Sequence, residues 1–102
     1  MELIKLVTKI HKHGKMRYIS HLDFIRLIYR AIRRADLPFA LTLGFNPRPK
    51  IKFGQALKLG VEAEIDVTFF LEKEIDKNEF KTKMHKQLHE GIRIVEINYG
   101  KQ

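Results

Sequence analysis

The sequence predicts an α+β domain of ferredoxin-like β-α-β-β-α-β order, with two helices on one face of a four-stranded antiparallel sheet. Three observations support this fold. Two segments of helical periodicity each begin with a capping signature, alternating apolar and polar residues flank both segments, and a long Gly/Pro-rich basic loop separates the two halves. The chain has 102 residues, of which 44% are hydrophobic. This length favours a single domain over residues 1–102 with one modest core.

The first strand–helix–strand half has clear boundaries. Residues 2–13 alternate as on a half-buried strand. The residues on one face of this strand are Ile4, Leu6, Thr8 and Ile10. Ser20 as N-cap, with Asp23 three residues later, predicts a helix over residues 21–35. Phe39–Leu43 is predicted to be a short second strand.

The middle of the chain is predicted to be a functional loop. Residues 44–60 are rich in Gly and Pro and show no clear periodicity, although they leave room for a short strand near Ile51–Phe53. Residues 42–53 combine three cations with two phenylalanines and a proline-stiffened backbone. Arginine and lysine bind phosphates, and an aromatic ring offers a face to an unstacked base. Phe53 is expected to anchor the loop in the core instead.

The second half repeats the signals of the first. Residues 61–71 alternate cleanly as a strand with one buried face. Asp76 is the predicted N-cap of a second helix that carries apolar residues at helical spacing, and Gly91 is its predicted C-cap. The last strand is predicted at Ile92–Tyr99.

The charge of the chain is uneven. The net charge is +8, and residues 1–60 carry 13 Lys/Arg against 3 acids while residues 61–102 carry 7 against 9. One half of the chain therefore builds a positive field, which favours a polyanionic partner such as RNA.

Several classes of protein and site are excluded or disfavoured. Cysteine is absent, which excludes a disulfide framework, a thiolate metal site and a thiol nucleophile. The first residues lack the pattern of a signal peptide, and no apolar stretch approaches the roughly 20 residues that span a bilayer. We expect a cytoplasmic protein that contacts no membrane and holds no metal or cofactor.

A row of arginines marks the first helix. Arg26, Arg30 and Arg33 follow one another at helical spacing and fall within about 60° of one another on the helix surface. No acid lies among them, so they repel one another, and arginine forks suit phosphate oxygens. The predicted nucleic-acid-binding residues, on this helix, before it and in the loop, are Arg17, Arg26, Arg30, Arg33, Arg34, Phe45, Asn46, Arg48, Lys50 and Lys52.

The open face of the sheet is predicted to carry a mixed-charge ladder instead of an RNA site. In this strand order the first and third strands are neighbours, so Lys5 and Lys9 are expected near acids of the third strand. Those acids are Glu62, Glu64 and Asp66. A sheet that stacks bases needs exposed aromatics, and no such pattern is present. The binding surface is therefore assigned to the first helix and the loop over residues 44–58.

The histidines suggest little metal chemistry. His85 and His89 share the spacing of one helix face, but the glutamate of a zinc-protease motif is missing. His21 opens the first helix, where it is a candidate general acid or base for metal-independent RNA cleavage. A structural histidine in the capping region is the alternative.

Four motifs together resemble the radical-SAM-linked protein family, a bacterial domain of unknown function that occurs alone or at the C-terminus of radical SAM enzymes. They are Arg17-Tyr18-Ile19-Ser20-His21-Leu22-Asp23, Arg33-Arg34-Ala35-Asp36-Leu37-Pro38, Gly44-Phe45-Asn46-Pro47-Arg48-Pro49-Lys50 and Leu59-Gly60-Val61-Glu62. The resemblance implies a companion of a radical SAM enzyme in RNA modification or handling. It implies functional roles for Ser20, His21, Asp23, Gly44, Phe45, Asn46, Pro47, Arg48 and Lys50.

The layout is also similar to CRISPR repeat-processing endoribonucleases of ferredoxin-like fold, which use a histidine near the first helix. The Gly-rich C-terminal loop typical of that group is missing here.

Three functions follow as hypotheses. The leading one is a non-catalytic RNA-binding domain, with tRNA or ribosomal RNA as the ligand. The alternatives are a metal-independent endoribonuclease that uses His21, and a protein-interaction module that docks on a radical SAM enzyme.

Overall fold

A computed structural model describes residues 3–54 and 63–100 of the protein. The strands in this part of the chain are β1 (Ile4–Lys12), β2 (Ile51–Phe53), β3 (Ala63–Leu71) and β4 (Ile92–Tyr99). The helices are α1 (His21–Ala35) and α2 (Lys77–His85), and a 3₁₀ helix, Gly14–Tyr18, precedes α1.

The strands form an antiparallel sheet in the order β2-β3-β1-β4, which confirms the predicted α+β, ferredoxin-like arrangement. In the centre of the sheet Leu6 pairs with Phe69, and Ile10 pairs with Ile65. The pairing of β1 with β4 shifts by one residue between Lys9 and Ile10. A shift of this kind is a β-bulge, which bends an edge strand and increases its twist.

Both helices pack on the same face of the sheet, because their apolar residues share one core cluster with the inward residues of the strands. The predicted alternation of β1 is confirmed, since Leu6, Thr8 and Ile10 are buried. Thr8 is a polar member of this face, and its hydroxyl donates a hydrogen bond to the Val67 carbonyl oxygen at 2.7 Å. The donor is therefore satisfied within the core.

Helix α1 has the predicted boundaries because both of its ends are capped locally. The Ser20 hydroxyl oxygen accepts the backbone N–H of Asp23 at 3.0 Å. The helix ends at Asp36, whose φ of 53° places it in the left-handed conformation that commonly closes a helix.

Helix α2 begins as predicted but ends earlier. The Asp76 carboxylate accepts the backbone N–H of Glu79 at 3.1 Å, which confirms the N-cap. The helix stops at His85 with Lys86 as its C-cap, so the prediction that Gly91 caps it was wrong. Gly91 is instead required by close packing, because a Cβ there would lie 2.5 Å from the Met16 side chain.

The edge strand also differs from the prediction. We expected a strand at Phe39–Leu43, but the edge strand is Ile51–Phe53, which pairs with residues 67–69 of β3. Phe39 and Leu41 form only isolated bridges, to Leu71 and Pro49 respectively. Within the expected loop over residues 44–60, the backbone is paired at Arg48, at Lys50 and along Ile51–Phe53. Residues 55–60 lie outside the described residues.

Three aromatic rings fill the core between the sheet and α2. The ring centroids of Phe69 and Phe80 are 5.2 Å apart, and the Phe39 ring lies 5.9 Å from Phe69 and 6.1 Å from Phe80. Edge-on rings at these separations contribute beyond their buried area. No helix within the described residues is long and apolar enough to cross a membrane.

His85 makes the fold sensitive to acid. Burial, followed by the positive charges of Lys81 and Arg93, lowers the pKa of its imidazole from the ordinary value of 6.5. The ring must be neutral at Nε2, because this atom accepts the Ile94 backbone N–H at 2.9 Å. With a folded-state pKa below the unfolded-state value, the contribution of His85 is complete above about pH 6.5 and is lost as pH falls.

We therefore expect the free energy of unfolding to decrease between about pH 7 and pH 5 in urea titrations. The His85→Gln variant, which does not titrate there, should show a flatter pH profile. His13, His89 and Glu90 line the same pocket as His85. His11 lies on β1 and does not line that pocket, so His11→Gln is the control for the loss of a histidine. An unchanged slope in His85→Gln would assign the acid sensitivity to another group.

Candidate nucleic-acid interface

Helix α1 presents the predicted row of arginines to solvent. Arg26, Arg30 and Arg33 are all exposed, on the side of α1 opposite the buried Phe24 and Ile28. Arg26 is paired with Asp23, with 3.5 Å between Nη1 and Oδ1. Both side chains of this pair are more than half exposed, so it neutralises little of the field of the row.

Residues 40–50 form a hairpin beside α1. The Lys50 N–H donates to the Ala40 carbonyl at 2.8 Å, and the Thr42 N–H donates to the Arg48 carbonyl at 2.7 Å. In return the Thr42 hydroxyl accepts the Arg48 N–H at 3.1 Å. The tip, residues 43–47, turns through Gly44, whose φ of 123° favours glycine. Backbone hydrogen bonds therefore join the two arms of the hairpin on either side of its tip.

A groove runs between α1 and the hairpin, and we call it the arginine groove. Its volume is about 380 Å³, and it is lined by Arg26, Tyr29, Arg30, Arg33, Pro47, Arg48 and Pro49. The fold thus brings Arg48, 15 residues after Arg33 in the sequence, into the row predicted for α1. Within the described part of the chain no carboxylate lines this groove.

Tyr29 links the two walls of the groove. The guanidinium carbon of Arg48 lies 5.7 Å from the centroid of the Tyr29 ring, within the range of a cation–π contact. The centroid of the Tyr29 ring is also 6.2 Å from that of Phe53, and the Phe53 ring packs on Phe24 at 6.2 Å. Phe53 therefore anchors the strand after the hairpin in the core, as predicted. Sequence reasoning missed Tyr29, although its spacing of three residues from Arg26 and four from Arg33 indicated the shared face.

The tip of the hairpin carries exposed apolar side chains. Leu43 is 100% exposed and Phe45 is 104% exposed, and Asn46 beside them is also exposed. Exposed large apolar side chains that gather at one place mark contact sites more often than isolated ones do. Phe45 and Asn46 are therefore accessible from solvent, and their roles in binding stay predictions.

Lys50 and Lys52 do not join the arginine groove. Lys52 pairs with Thr68, and its neighbours Ile51 and Phe53 point into the core, so strand alternation sends both lysines to the open face of the sheet. The ammonium of Lys50 lies 4.9 Å from the centroid of the Phe70 ring on that face. The prediction that the two lysines share a surface with the α1 arginines was wrong.

Arg17 and Arg34 also lie apart from the groove. Arg17 belongs to the 3₁₀ helix, where it donates to the Gly14 carbonyl at 3.3 Å and stacks 4.8 Å from the Tyr18 ring centroid. Arg34 lines a separate pocket with Gln87 and His89 on the α2 side of α1. These two arginines therefore extend the basic surface without lining the groove.

His21 sits in an aromatic setting. Its ring centroid is 6.4 Å from that of Phe24 and 6.4 Å from that of Phe53. Its Nδ1 atom is buried and has no hydrogen-bond partner among the described residues. The ring contacts pack the first turn of α1 onto the edge strand. The unpartnered Nδ1 shows that His21 is not a fully satisfied capping-region histidine, and its catalytic role stays a prediction.

The open face of the sheet carries the predicted charge ladder in part. Lys9 pairs with Asp66 on one side and with Glu96 on the other. Lys5 faces Phe70 instead of an acid, so that part of the prediction was wrong. Glu62, also assigned to the ladder, lies outside the described residues. A cation between two carboxylates makes this face less suited to phosphate than the groove.

The two histidines considered as metal ligands are engaged by the backbone. His85 Nε2 accepts the Ile94 N–H at 2.9 Å, and His89 Nδ1 accepts the Gly91 N–H at 3.0 Å. Since α2 ends at His85, the two do not share a helix face. Within residues 3–54 and 63–100, no three His, Cys, Asp or Glu side chains cluster as metal ligands do.

Comparison with known proteins identifies a family but no described relative. Neither the curated proteins nor the solved structures contain a match to this chain. One family model matches residues 5–102, which is nearly the whole chain. The protein therefore belongs to the bacterial family described as "Uncharacterized protein conserved in bacteria (DUF2344)".

Proposed function

We propose that this protein is a non-catalytic RNA-binding domain whose arginine groove holds the phosphate backbone. The observation that carries the proposal is the groove itself, where α1 and the hairpin place four arginines around a tyrosine with no carboxylate among the described lining residues. Guanidinium groups held this way repel one another. A polyanion relieves that repulsion and accepts bidentate hydrogen bonds.

The exposed tip of the hairpin favours a folded RNA with unstacked bases over a regular duplex as the ligand. Phe45 projects fully into solvent from a hairpin that is braced by paired backbone. An aromatic side chain contributes about 1–3 kcal/mol when a base stacks on it, and that base must be unstacked from its own strand. Loops and bulges of folded RNA supply such bases. Transfer RNA and ribosomal RNA are therefore the first ligands to test.

The proposed partner of the domain is a radical SAM enzyme that modifies or handles the same RNA. The support is the resemblance of the motifs around Ser20 and Asn46 to the radical-SAM-linked family. This chain has no cysteine to ligate an iron–sulfur cluster. Under the proposal the partner therefore supplies the chemistry, and this domain contributes affinity for the RNA.

The salt dependence of RNA binding is the test. Fluorescence anisotropy with labelled tRNA and a ribosomal RNA fragment, in the presence of a chelator, should show saturable binding. Each neutralised phosphate contributes about −0.7 to −0.9 to the slope of log K against log salt, so four groove arginines predict a slope of roughly −3. Preference for one RNA over the other would identify the ligand class.

Two results would contradict the proposal. Binding no tighter than the roughly 10⁻⁴–10⁻⁶ M of non-specific contacts at physiological salt would favour the alternative, in which the basic face docks on an acidic protein. In that case, a radical SAM enzyme that still co-purifies after nuclease treatment would identify the docking partner. Cleavage of RNA in chelator that is lost in His21→Ala would overturn the non-catalytic assignment.

A further inference from the structure

The arginine groove gathers its positive charge in a small volume. Its volume of about 380 Å³ lies near the lower end of the roughly 300–1,000 Å³ of small-molecule sites. Within the described residues that line it, four are arginines and none is an acid.

The phosphates inside an RNA strand carry one negative charge each and are spread along the backbone. The groove instead gathers four guanidinium groups at one place. A terminal phosphate monoester carries about −1.5 to −2 at neutral pH and offers three strong acceptor oxygens. A terminal triphosphate carries more charge still, on three adjacent phosphoryl groups. The groove therefore matches a phosphorylated terminus better than an internal segment.

The geometry of Arg48 supports the same ligand. Its guanidinium comes from the hairpin and lies 5.7 Å from the centroid of the Tyr29 ring on α1, in the groove that the arginines of α1 also line. The cations therefore line two walls of the groove, whereas a row on one helix would only follow a strand that passes by. Pro47 and Pro49 flank Arg48 in the lining and stiffen its backbone. Cations on two walls suit an anion that is held from several sides.

We propose that the arginine groove binds a terminal phosphate, either the phosphorylated 5′ end of an RNA or the phosphates of a free nucleotide. The inference rests on the proposed RNA-binding function of the same groove and names its ligand more narrowly. Tyr29 and the two prolines would line the side of the first nucleotide, while the arginines donate to the phosphate oxygens.

The test compares RNA oligonucleotides of one sequence that carry an internal fluorophore and differ only at the 5′ end. The ends are a hydroxyl, a monophosphate and a triphosphate. We expect the RNA with a 5′ triphosphate to bind at least about tenfold more tightly than the RNA with a 5′ hydroxyl at physiological salt. The hydroxyl end lacks the phosphate oxygens that accept charge-assisted hydrogen bonds from the arginines. Unlabelled GTP and ATP are then added as competitors, to separate an RNA end from a free nucleotide.

Arg48→Gln separates recognition of the end from general attraction. A loss of general electrostatic attraction lowers the affinity for all three oligonucleotides by the same factor. A loss of end recognition brings the ratio of the affinity for the triphosphate RNA to that for the hydroxyl RNA towards one. Arg93→Gln is the matched control, because Arg93 is exposed on β4 and pairs with His11 away from the groove. This control should keep the wild-type ratio.

Each outcome decides between the two proposals. Equal affinity for all three ends, with tight binding, overturns the inference and leaves the RNA-binding function intact. Loss of the end preference in Arg93→Gln to the same degree as in Arg48→Gln also overturns it. Nucleotides that bind while no RNA does would support the groove as a phosphate site and overturn the RNA-binding function.

Discussion

Replacing Arg30 and Arg33 together by glutamate is expected to lower the affinity for RNA by roughly two orders of magnitude at physiological salt. Both side chains line the arginine groove, together with Arg26 and Arg48. The change removes two phosphate contacts and adds two charges that repel the backbone. The slope of log K against log salt should become shallower by about one unit for each arginine. Anisotropy titrations over a salt series measure both quantities.

The control carries the same change in net charge on another surface. Lys81 and Lys86 are exposed, in α2 and at its C-cap, and neither lines the groove. The Lys81→Glu/Lys86→Glu variant should bind RNA within a few-fold of the wild type. Equal losses in the two double variants would mean that binding follows net charge alone, and full affinity in the groove variant would remove the groove as the interface. Circular dichroism checks that both variants fold.

Replacing Phe80 by alanine is expected to destabilise the fold by about 3–5 kcal/mol. Phe80 is fully buried, and its ring meets those of Phe39 and Phe69 between the sheet and α2. Removing the ring leaves a cavity that packed neighbours fill only in part. A domain of this size has a total stability of about 5–15 kcal/mol, so the variant should lie near the limit of folding. Urea denaturation followed by circular dichroism measures the difference.

Phe45→Ala is the control for that experiment because the same ring is removed from a fully exposed site. Its stability should stay within about 0.5 kcal/mol of the wild type. Its affinity for RNA should fall by about 1–3 kcal/mol if a base stacks on the ring. The two variants are therefore expected to separate stability from binding. A Phe80→Ala protein as stable as Phe45→Ala would mean that the aromatic cluster does not carry the core.

Elements that depend on neighbouring residues were predicted well. Helix α1 has its predicted span because Ser20 and Asp23 cap its start within one turn. Strand β4 also lies where the alternation placed it. The end of α2 was predicted too late, because Gly91 was interpreted as its C-cap. Gly91 instead packs closely against Met16, a residue 75 positions earlier in the chain. A distant contact of this kind leaves no local signal.

The candidate site divides in the same way. The row of arginines on α1 follows from helical spacing alone, and so does its exposure opposite the apolar face. Arg48 and Tyr29 line the same groove only because the hairpin folds back beside α1. This is a contact between separate elements. The alternation of residues 50–53 did contain a local signal that Lys50 and Lys52 face away from Phe53, but that signal has meaning only once the segment is known to be a strand.

The sequence by itself therefore determined the fold class, the capped helix and the positive charge of the first sixty residues. The tertiary structure decided which of those charges meet. Side-chain direction within a helix or strand is set by local backbone geometry, whereas the approach of two elements depends on pairing and packing between residues far apart in the chain. For this reason four arginines converge on one groove, while Lys50 and Lys52, two and four residues beyond Arg48, lie on the opposite face of the sheet.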